Sequence, residues 1–300
     1  MASVAVSGGF SQLLTKDYEH VFYDEFGKLA PEWSQVAKIS NADGHSIKKG
    51  EMAGLGRFQA KTEGDALSFD VPKQGNEKEV TFTEFELGFQ VTRPMWEDDR
   101  TGHMKEVARD MGKSAGYTLE LEFWDLFNNA FVNTYNAALD GFALCHTVHA
   151  YVNYPGNTYN NDPTAASFSE TTFQAFLDYF EGVKNERGIP VKATPHLLII
   201  PQDLRWIAER LLMSELRPGT GDNDTNVFKG KVQYLVSHYL TSTTAFFMIT
   251  PEHDLQHIWR RKLTFESYDD FNSGNALFKG SMRFTDDFWN PRMVIGNSGA

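Results

Sequence analysis

The chain has few of the features that would crosslink it by disulfides, anchor it in a membrane or attract it to nucleic acid by charge. It contains one cysteine among 300 residues, Cys145, so an internal disulfide is excluded and stability must come from packing or assembly. No run approaches the roughly 20 apolar residues of a membrane helix, and the start, MASVAVSGGFSQ, lacks a signal-peptide pattern. We therefore expect a protein that is made and kept in a reducing cytoplasm.

Basic residues are also scarce relative to acidic ones. Lys and Arg number 28 against 40 Asp and Glu, which gives a formal net charge of -12. This balance opposes loose electrostatic binding to nucleic acid. The one dense basic run, Arg260-Arg261-Lys262, is more typical of a solvated or ion-paired strand end than of a phosphate site.

Aromatic residues, by contrast, are abundant and spread along the whole chain. They include 24 Phe, 11 Tyr and 6 Trp, which indicates a large buried contact surface within the chain or between copies. A short helix is predicted over 11–26 and ends before Pro31. We interpret the first 49 residues as an arm rather than a domain.

Glycines recur from Gly50 to Gly75 around two short alternating runs, Phe58 to Ala60 and Leu67 to Val71. The pattern predicts a projecting hairpin with little core of its own. The alternation that follows over 80–91 changes phase near Thr83, which predicts a bulge in a long strand.

Pro94 suits the first turn of a helix, and the helical period continues without a break from Met104 to Ala130. That unbroken stretch spans roughly 40 Å, and we expect residues 94–132 to form a spine. A second unit follows, with helices predicted near 173–183 and 204–212 and strands at 196–200, 232–236 and 245–249. Strand candidates at 263–267, 277–284 and 293–295 are expected to return to the first unit and complete its sheet.

Two patterns raise the possibility of catalysis or metal binding. Gly112-Lys-Ser114-Ala-Gly116 matches the G-x-S-x-G nucleophile motif, but it lies inside a helical period, where close helix packing explains small residues equally well. Cys145, His146 and His149 are three potential zinc ligands, yet no second Cys or paired His supplies a fourth. We assign no catalytic residue, no cofactor and no metal, and keep this cluster only as a weak metal candidate.

Acidic pairs are a third pattern with possible chemistry. The candidates for acid/base or cation sites are Asp98-Asp99, Asp269-Asp270 and Asp286-Asp287. Adjacent side chains seldom point the same way, so surface acidity is the favoured interpretation.

Several segments, in consistent order from about residue 78 to the C-terminus, resemble the Mu-like major head subunit family of tailed-phage capsid proteins. They are VTFTEFELGFQVT at 80–92, MWEDD at 95–99, GHMKE at 102–106, LEFWD at 121–125, SELRPGT at 214–220, VSHYL at 236–240, WRRK at 259–262 and NALFK at 275–279. No single segment is a catalytic signature.

The resemblance implies an α+β chain with the tailed-phage major capsid fold. It implies an N-terminal arm at 1–49, an extended loop at 50–80, a peripheral domain with the spine helix at 81–150 and an axial domain at 151–250. Residues 251–300 would be the strands that return to complete the peripheral domain.

The function implied is that of a major capsid protein. Copies would assemble through hexamers and pentamers into an icosahedral shell around double-stranded DNA, without sequence-specific binding and without a membrane. No long helical leader is evident, which favours either a separate scaffolding protein or prior removal of such a segment. The expected partners are therefore a scaffolding protein, a portal and a decoration protein. The expected location is the virion capsid, with assembly in the host cytoplasm.

We expect inter-subunit contacts at residues of the extended loop, the spine start and the axial-domain loop: Phe58, Phe69, Trp96, Arg217, Asp222 and Asp224. One alternative is an encapsulin-like nanocompartment shell, which shares the fold but encloses protein cargo. A second is a hydrolase or metalloprotein using Ser114 or the Cys145 cluster.

Overall fold

The computed structural model describes residues 8–92, 94–95, 98, 102–151, 156–217, 224–270 and 274–300. It forms two compact units. The first comprises the described residues of Met1–Ser46, Thr81–Phe123 and His257–Asp286. The second comprises those of Ile47–Val80, Trp124–Gln256 and Asp287–Ala300.

The elements follow each other along the chain in a mixed order of helices and strands. The helices are α1 (Gly8–Lys28), α2 (His103–Asn128), α3 (Glu170–Glu181) and α4 (Arg205–Met213), with 3-10 turns at Trp33–Gln35, Gln202–Leu204 and Pro291–Met293. The strands are β1 (Lys38–Asn41), β2 (Ser46–Ala53), β3 (Lys73–Thr81), β4 (Thr83–Val91), β5 (His149–Ala150), β6 (Thr158–Tyr159), β7 (Leu197–Pro201), β8 (Gln233–Ser237), β9 (Phe246–Ile249), β10 (Leu255–Asp269), β11 (Ala276–Phe288) and β12 (Val294–Asn297).

A four-stranded sheet in the order β1-β10-β11-β4 characterises the first unit. β11 runs antiparallel to β4, with Ala276 opposite Val91 and Phe284 opposite Thr83. Apolar residues of this sheet pack with α1 and α2 around Phe22, Met111 and Phe278. The predicted long helix is confirmed in α2, whose 26 residues span about 39 Å.

The N-terminal segment after α1 is fixed to α2 by a buried carboxylate. Glu120 accepts hydrogen bonds from the backbone N–H groups of Glu32, at 2.6 Å, and Trp33, at 3.2 Å. The Trp33 ring lies 4.3 Å from the His257 ring, centroid to centroid. A buried carboxylate needs such donors, so Glu120 orders the turn that follows the arm helix.

The second sheet has the order β12-β9-β7-β8 and characterises the second unit. β7 is parallel to β8 and antiparallel to β9, and its five residues are all buried. Such an apolar run fits a central strand covered on both faces. α3 starts at a capping box between Ser169 and Thr172, and buries three phenylalanines against this sheet's core.

Three sequence expectations differ from the structure. The runs at Phe58 to Ala60 and Leu67 to Val71 are not strands; the hairpin is formed by β2 and β3 on either side of them. The predicted bulge is a break at Phe82, because β3 pairs with β2 whereas β4 pairs with β11. β10 and β11 join the sheet of β4 as expected, but β12 pairs with β9 in the second sheet.

Gly112 provides a test of the packing between α1 and α2. A Cβ at Gly112 would lie 2.6 Å from the backbone oxygen of Phe22, so Gly112→Ala must push the two helices apart. We expect it to lower the free energy of unfolding by about 1–3 kcal/mol, as overpacking does. Urea unfolding followed by circular dichroism measures this change.

Gly27 is the matched control, because it lies in α1 with open space around its Cα. Gly27→Ala should be neutral or stabilising by up to about 1 kcal/mol, since alanine lowers the entropy of the unfolded chain. Equal effects of the two substitutions would contradict the close approach of α1 to α2.

Candidate assembly surface

Residues 54–72, between β2 and β3, form a loop whose apolar side chains face solvent. We call these residues the apolar loop. The Phe58 side chain is fully exposed and that of Phe69 is 86% exposed. The other exposed apolar residues of the loop are Leu55, Leu67 and Val71. Concentrated apolar exposure of this kind marks a surface that is covered by a partner.

A single arginine outside the loop ties its two ends together. Arg187 Nε donates to the Gly54 carbonyl at 2.9 Å, and its Nη2 donates to the Val71 carbonyl at 2.9 Å. The same Nη2 lies 3.4 Å from the Asp70 carboxylate. The Asp70 carboxylate also accepts from the Gly56 N–H at 2.7 Å, and this bond lowers the pKa of Asp70. The loop therefore projects from a defined base although its strands end at Ala53 and Lys73.

A buried charge cluster lies at the foot of β2. The Arg292 side chain, 9% exposed, is ion-paired with Glu186 and lies 3.8 Å from Glu51 Oε1. Its guanidinium also lies 5.1 Å from the ring centroid of Tyr151 and 5.6 Å from that of Tyr159. Burial raises the pKa of Glu51, while the Arg292 charge acts in the opposite direction. Arg292 thus neutralises two carboxylates that come from distant parts of the chain.

The aspartate pair at the end of β11 is buried, so the expectation of surface acidity is wrong for it. Asp286 faces Nδ1 of His257 at 2.6 Å, and Asp287 faces Nζ of Lys78 at 2.5 Å. Because successive side chains of a strand point to opposite faces, the two carboxylates serve different environments. Each carboxylate is buried beside a nitrogen-bearing side chain of another strand, His257 of β10 and Lys78 of β3, and neither partner is adjacent in sequence.

The predicted axial-loop residues are only partly within the described residues. Arg217 is exposed and its Nε lies 3.1 Å from Glu170 Oε2, at the start of α3. Asp224 is exposed, and its carbonyl accepts a hydrogen bond from the Arg217 N–H at 2.9 Å. Asp222 and Trp96 lie outside the described residues. Contacts of these residues with other subunits stay predictions.

The three potential zinc ligands do not converge on one point. Cys145 is fully buried, and burial raises the pKa of its thiol well above the usual value. His149 Nδ1 contacts Asp140 Oδ2 at 2.7 Å, whereas His146 Nδ1 accepts from the Val148 N–H at 3.1 Å. Across the described part of the chain no group of three His, Cys, Asp or Glu side chains is arranged to hold a metal ion.

Ser114 lies within α2, so it lacks the strand and sharp turn that a nucleophile elbow requires. The glycines around it serve helix packing instead. A Cβ at Gly116 would lie within 2.3 Å of the Leu29 side chain, just as a Cβ at Gly112 would lie 2.6 Å from the backbone oxygen of Phe22. Helix packing therefore explains the motif. Among the described residues no helix combines the length and apolarity needed to cross a bilayer.

Sequence reasoning missed the charged side chains that organise the base of the loop: Lys78, Arg187 and Arg292. Each is a lone basic residue with no periodic or motif signal. The one hint is the position of Arg292 between Pro291 and Met293, as the only charged residue in the sequence from 288 to 300. A charge in such a setting needs a buried partner, but the sequence does not say which one.

A family model described as phage capsid protein matches residues 75–297. The chain belongs to this phage capsid protein family. Among curated proteins, none matches it. Family membership makes this a structural protein of the phage shell, and the fold agrees with it.

Solved structures with this fold are similar to the capsid protein over most of its length. The bacteriophage JBD30 capsid has a TM-score of 0.59 at 17% identity, covering 71% of this chain and 92% of that one. The capsid of the native GTA particle has a TM-score of 0.59 at 10% identity and covers 91% of each chain. A virus-like particle from Pyrococcus furiosus has a TM-score of 0.53 at 11% identity, covering 94% of this chain and 98% of that one. The expected α+β, HK97-like phage capsid fold is confirmed.

Proposed function

We propose that copies of this capsid protein assemble through hexamers and pentamers into an icosahedral shell that encloses double-stranded DNA. The observation that carries the proposal is the apolar loop, which leaves Phe58 and Phe69 in solvent on a subunit of a capsid family. A closed shell of identical subunits covers such a surface on every copy. The sequence segments at 80–106 and 214–279 support membership of the Mu-like major head subunit group.

The roles of the chain segments follow from this proposal. Residues 1–49 act as the arm and 50–80 as the extended loop that overlaps a neighbouring subunit. Residues 81–150 form the peripheral domain with the spine α2 and 151–250 the axial domain, while β10 and β11, within 251–300, are the strands that return to the peripheral domain. Contacts between subunits involve Phe58, Phe69 and Trp96, and, in the axial domain, Arg217, Asp222 and Asp224.

Partners and location are proposed on the same basis. One JBD30 capsid structure is described as decorated with minor capsid protein trimers, which supports a decoration protein here as well. A scaffolding protein and a portal complete the proposed set, and assembly takes place in the host cytoplasm. The net charge of -12 suits a wall that encloses DNA without binding it tightly.

The test is electron microscopy of the purified protein at several concentrations, with size-exclusion chromatography to separate oligomers. We expect closed shells, tubes or sheets of hexameric tiles. A discrete dimer or tetramer as the end state, with the scaffolding protein supplied, would contradict the proposal.

The encapsulin-like alternative shares the fold, and the resemblance to the virus-like particle keeps it as the second candidate. Particles isolated from their natural source separate the two. Nuclease-protected double-stranded DNA inside them supports the phage shell, whereas a protein cargo without nucleic acid supports the nanocompartment.

A further inference from the structure

Helices α3 and α4 of the second unit each have one buried side and one exposed side. Phe173 and Phe176 of α3 share a hydrophobic core with Ala208 and Leu211 of α4 and with the second sheet. The opposite side of each helix is therefore left in solvent. On these exposed sides the two helices carry charges of opposite sign, and the exposed residues recur at the same spacing.

The exposed side of α4 is aromatic and basic. Trp206, Arg210 and Met213 are exposed and stand at positions i, i+4 and i+7, so they lie on one face of the helix. Trp206 is 66% exposed, and the guanidinium of the adjacent Arg205 lies 5.1 Å from its ring centroid. Within the described residues neither arginine is paired with a carboxylate. We call Arg205, Trp206, Arg210 and Met213 the basic stripe.

The exposed side of α3 is acidic. Gln174, Asp178 and Glu181 are exposed and follow the same i, i+4 and i+7 spacing, and we call them the acidic stripe. The helix contains no lysine or arginine. Asp178 and Glu181 have no basic partner in the part of the chain that the structure describes. Ala175, which is exposed and lies one turn before Asp178, leaves space beside this stripe for a large side chain.

The two stripes are complementary, yet neither is paired within its own chain. An exposed tryptophan beside two arginines is typical of the centre of a protein interface, where Trp and Arg contribute most of the binding energy. The chain has a net charge of -12, so most surfaces of two copies repel each other. The acidic stripe of another copy offers the carboxylates that the basic stripe lacks. Attraction at this point selects one orientation among many repulsive ones.

We propose that the basic stripe of one copy docks on the acidic stripe of the neighbouring copy within a capsomer. The inference rests on the proposed assembly through hexamers and pentamers, and it names the surface that joins adjacent copies. Trp206 packs over Ala175 of the neighbour, and the two arginines pair with its two carboxylates. Because the stripes are different surfaces, the contact runs head to tail, and its repetition around an axis closes a ring.

The test uses two reciprocal charge reversals in the full-length chain. The basic-stripe variant combines Arg205→Glu with Arg210→Glu, and the acidic-stripe variant combines Asp178→Lys with Glu181→Lys. All four side chains are exposed, so both variants should fold, which circular dichroism checks. Each variant alone places like charges opposite each other. We expect each to lose the rings and particles that the wild type forms, as measured by size-exclusion chromatography and electron microscopy.

An equimolar mixture of the two variants is the decisive sample. When the variants alternate around a ring, every contact again joins stripes of opposite charge. Alternation requires an even number of copies, so the mixture should restore hexameric rings, and tubes or sheets built from them, but no pentamers. A single chain that carries all four substitutions has both stripes reversed. It should therefore restore hexamers and pentamers together.

Lys192→Glu with Lys231→Glu is the matched control, because it makes the same change of charge at two exposed lysines of the same unit, outside both stripes. This variant should assemble as the wild type does. Normal assembly by either stripe variant alone, or failure of the mixture or of the four-substitution chain to assemble, would overturn the docking contact and leave the proposed function standing. A wild type that forms no rings or particles with the scaffolding protein supplied would overturn both.

Discussion

Replacing Phe69 with aspartate should leave the subunit folded and prevent it from forming stable shells. The Phe69 side chain is 86% exposed in the single chain, so the substitution removes no core contact. In the assembled shell a buried aromatic contact is worth about 2 kcal/mol or more, and a buried unpaired carboxylate adds a further cost. Because every copy carries the change, the loss is repeated at each contact in the shell.

Particle yield, measured by electron microscopy and sedimentation, is the readout, and circular dichroism checks folding. Phe69→Tyr is the matched control, since it keeps the ring and most of its apolar area, and it should assemble. Normal particles from Phe69→Asp would refute the assignment of the apolar loop to a subunit contact.

Replacing Arg292 with methionine should destabilise the subunit itself. Methionine fills a similar volume but removes the positive charge of Arg292 from beside the buried carboxylates of Glu51 and Glu186. Removing one partner of a buried ion pair typically costs about 3–5 kcal/mol. We therefore expect a large fall in the midpoint of urea unfolding at neutral pH, with the base of the hairpin most affected.

The pH dependence gives this prediction a distinct signature. Burial already raises the pKa of Glu51 in the native protein, and loss of the Arg292 charge raises it further. When the pKa of a carboxyl is higher in the folded than in the unfolded state, the free energy of unfolding falls as the pH rises toward the folded-state pKa. The reason is that the buried carboxyl must ionise in the folded protein. The deficit of Arg292→Met should therefore shrink on acidification, as the carboxyl becomes protonated in the folded chain.

The double variant Arg292→Met with Glu186→Gln is the control for charge. Glu186→Gln removes the charge of one of the two carboxylates that face residue 292. The double variant should therefore recover part of the lost free energy of unfolding at neutral pH. A single variant as stable as the wild type, or a deficit that does not change with pH, would contradict the role assigned to Arg292.

The local hydrophobic pattern was sufficient to predict the helices and strands whose apolar residues recur with a clear periodicity. The apolar spacing from Met104 to Ala130 predicted the helix that the structure shows as α2, because every third or fourth side chain of that helix packs inward. The short apolar strand predicted at 196–200 is β7. The same reasoning failed at the apolar loop, where Phe58 and Phe69 alternate with polar residues as in a strand but have no strand to pair with.

Part of the candidate surface was also predictable from sequence. Two phenylalanines in a glycine-rich segment pointed to apolar side chains outside the core, and the structure places both in solvent. The buried charges were not predictable. A lone Lys, Arg or Asp has the same local signature on a surface as in a core, so Asp287 was expected in solvent and is buried against Lys78.

The sequence by itself determined the helices and most strands, the presence of a single cysteine, the acidic balance and the family resemblance. These features depend on composition or on residues close together in the chain. Only the tertiary structure decided that β12 joins β9, that Arg292 meets Glu51 and Glu186, and that Lys78, Asn136 and Asp287 touch. Those contacts join residues far apart in sequence, and folding selects them by burying each charge beside a partner that no local pattern specifies.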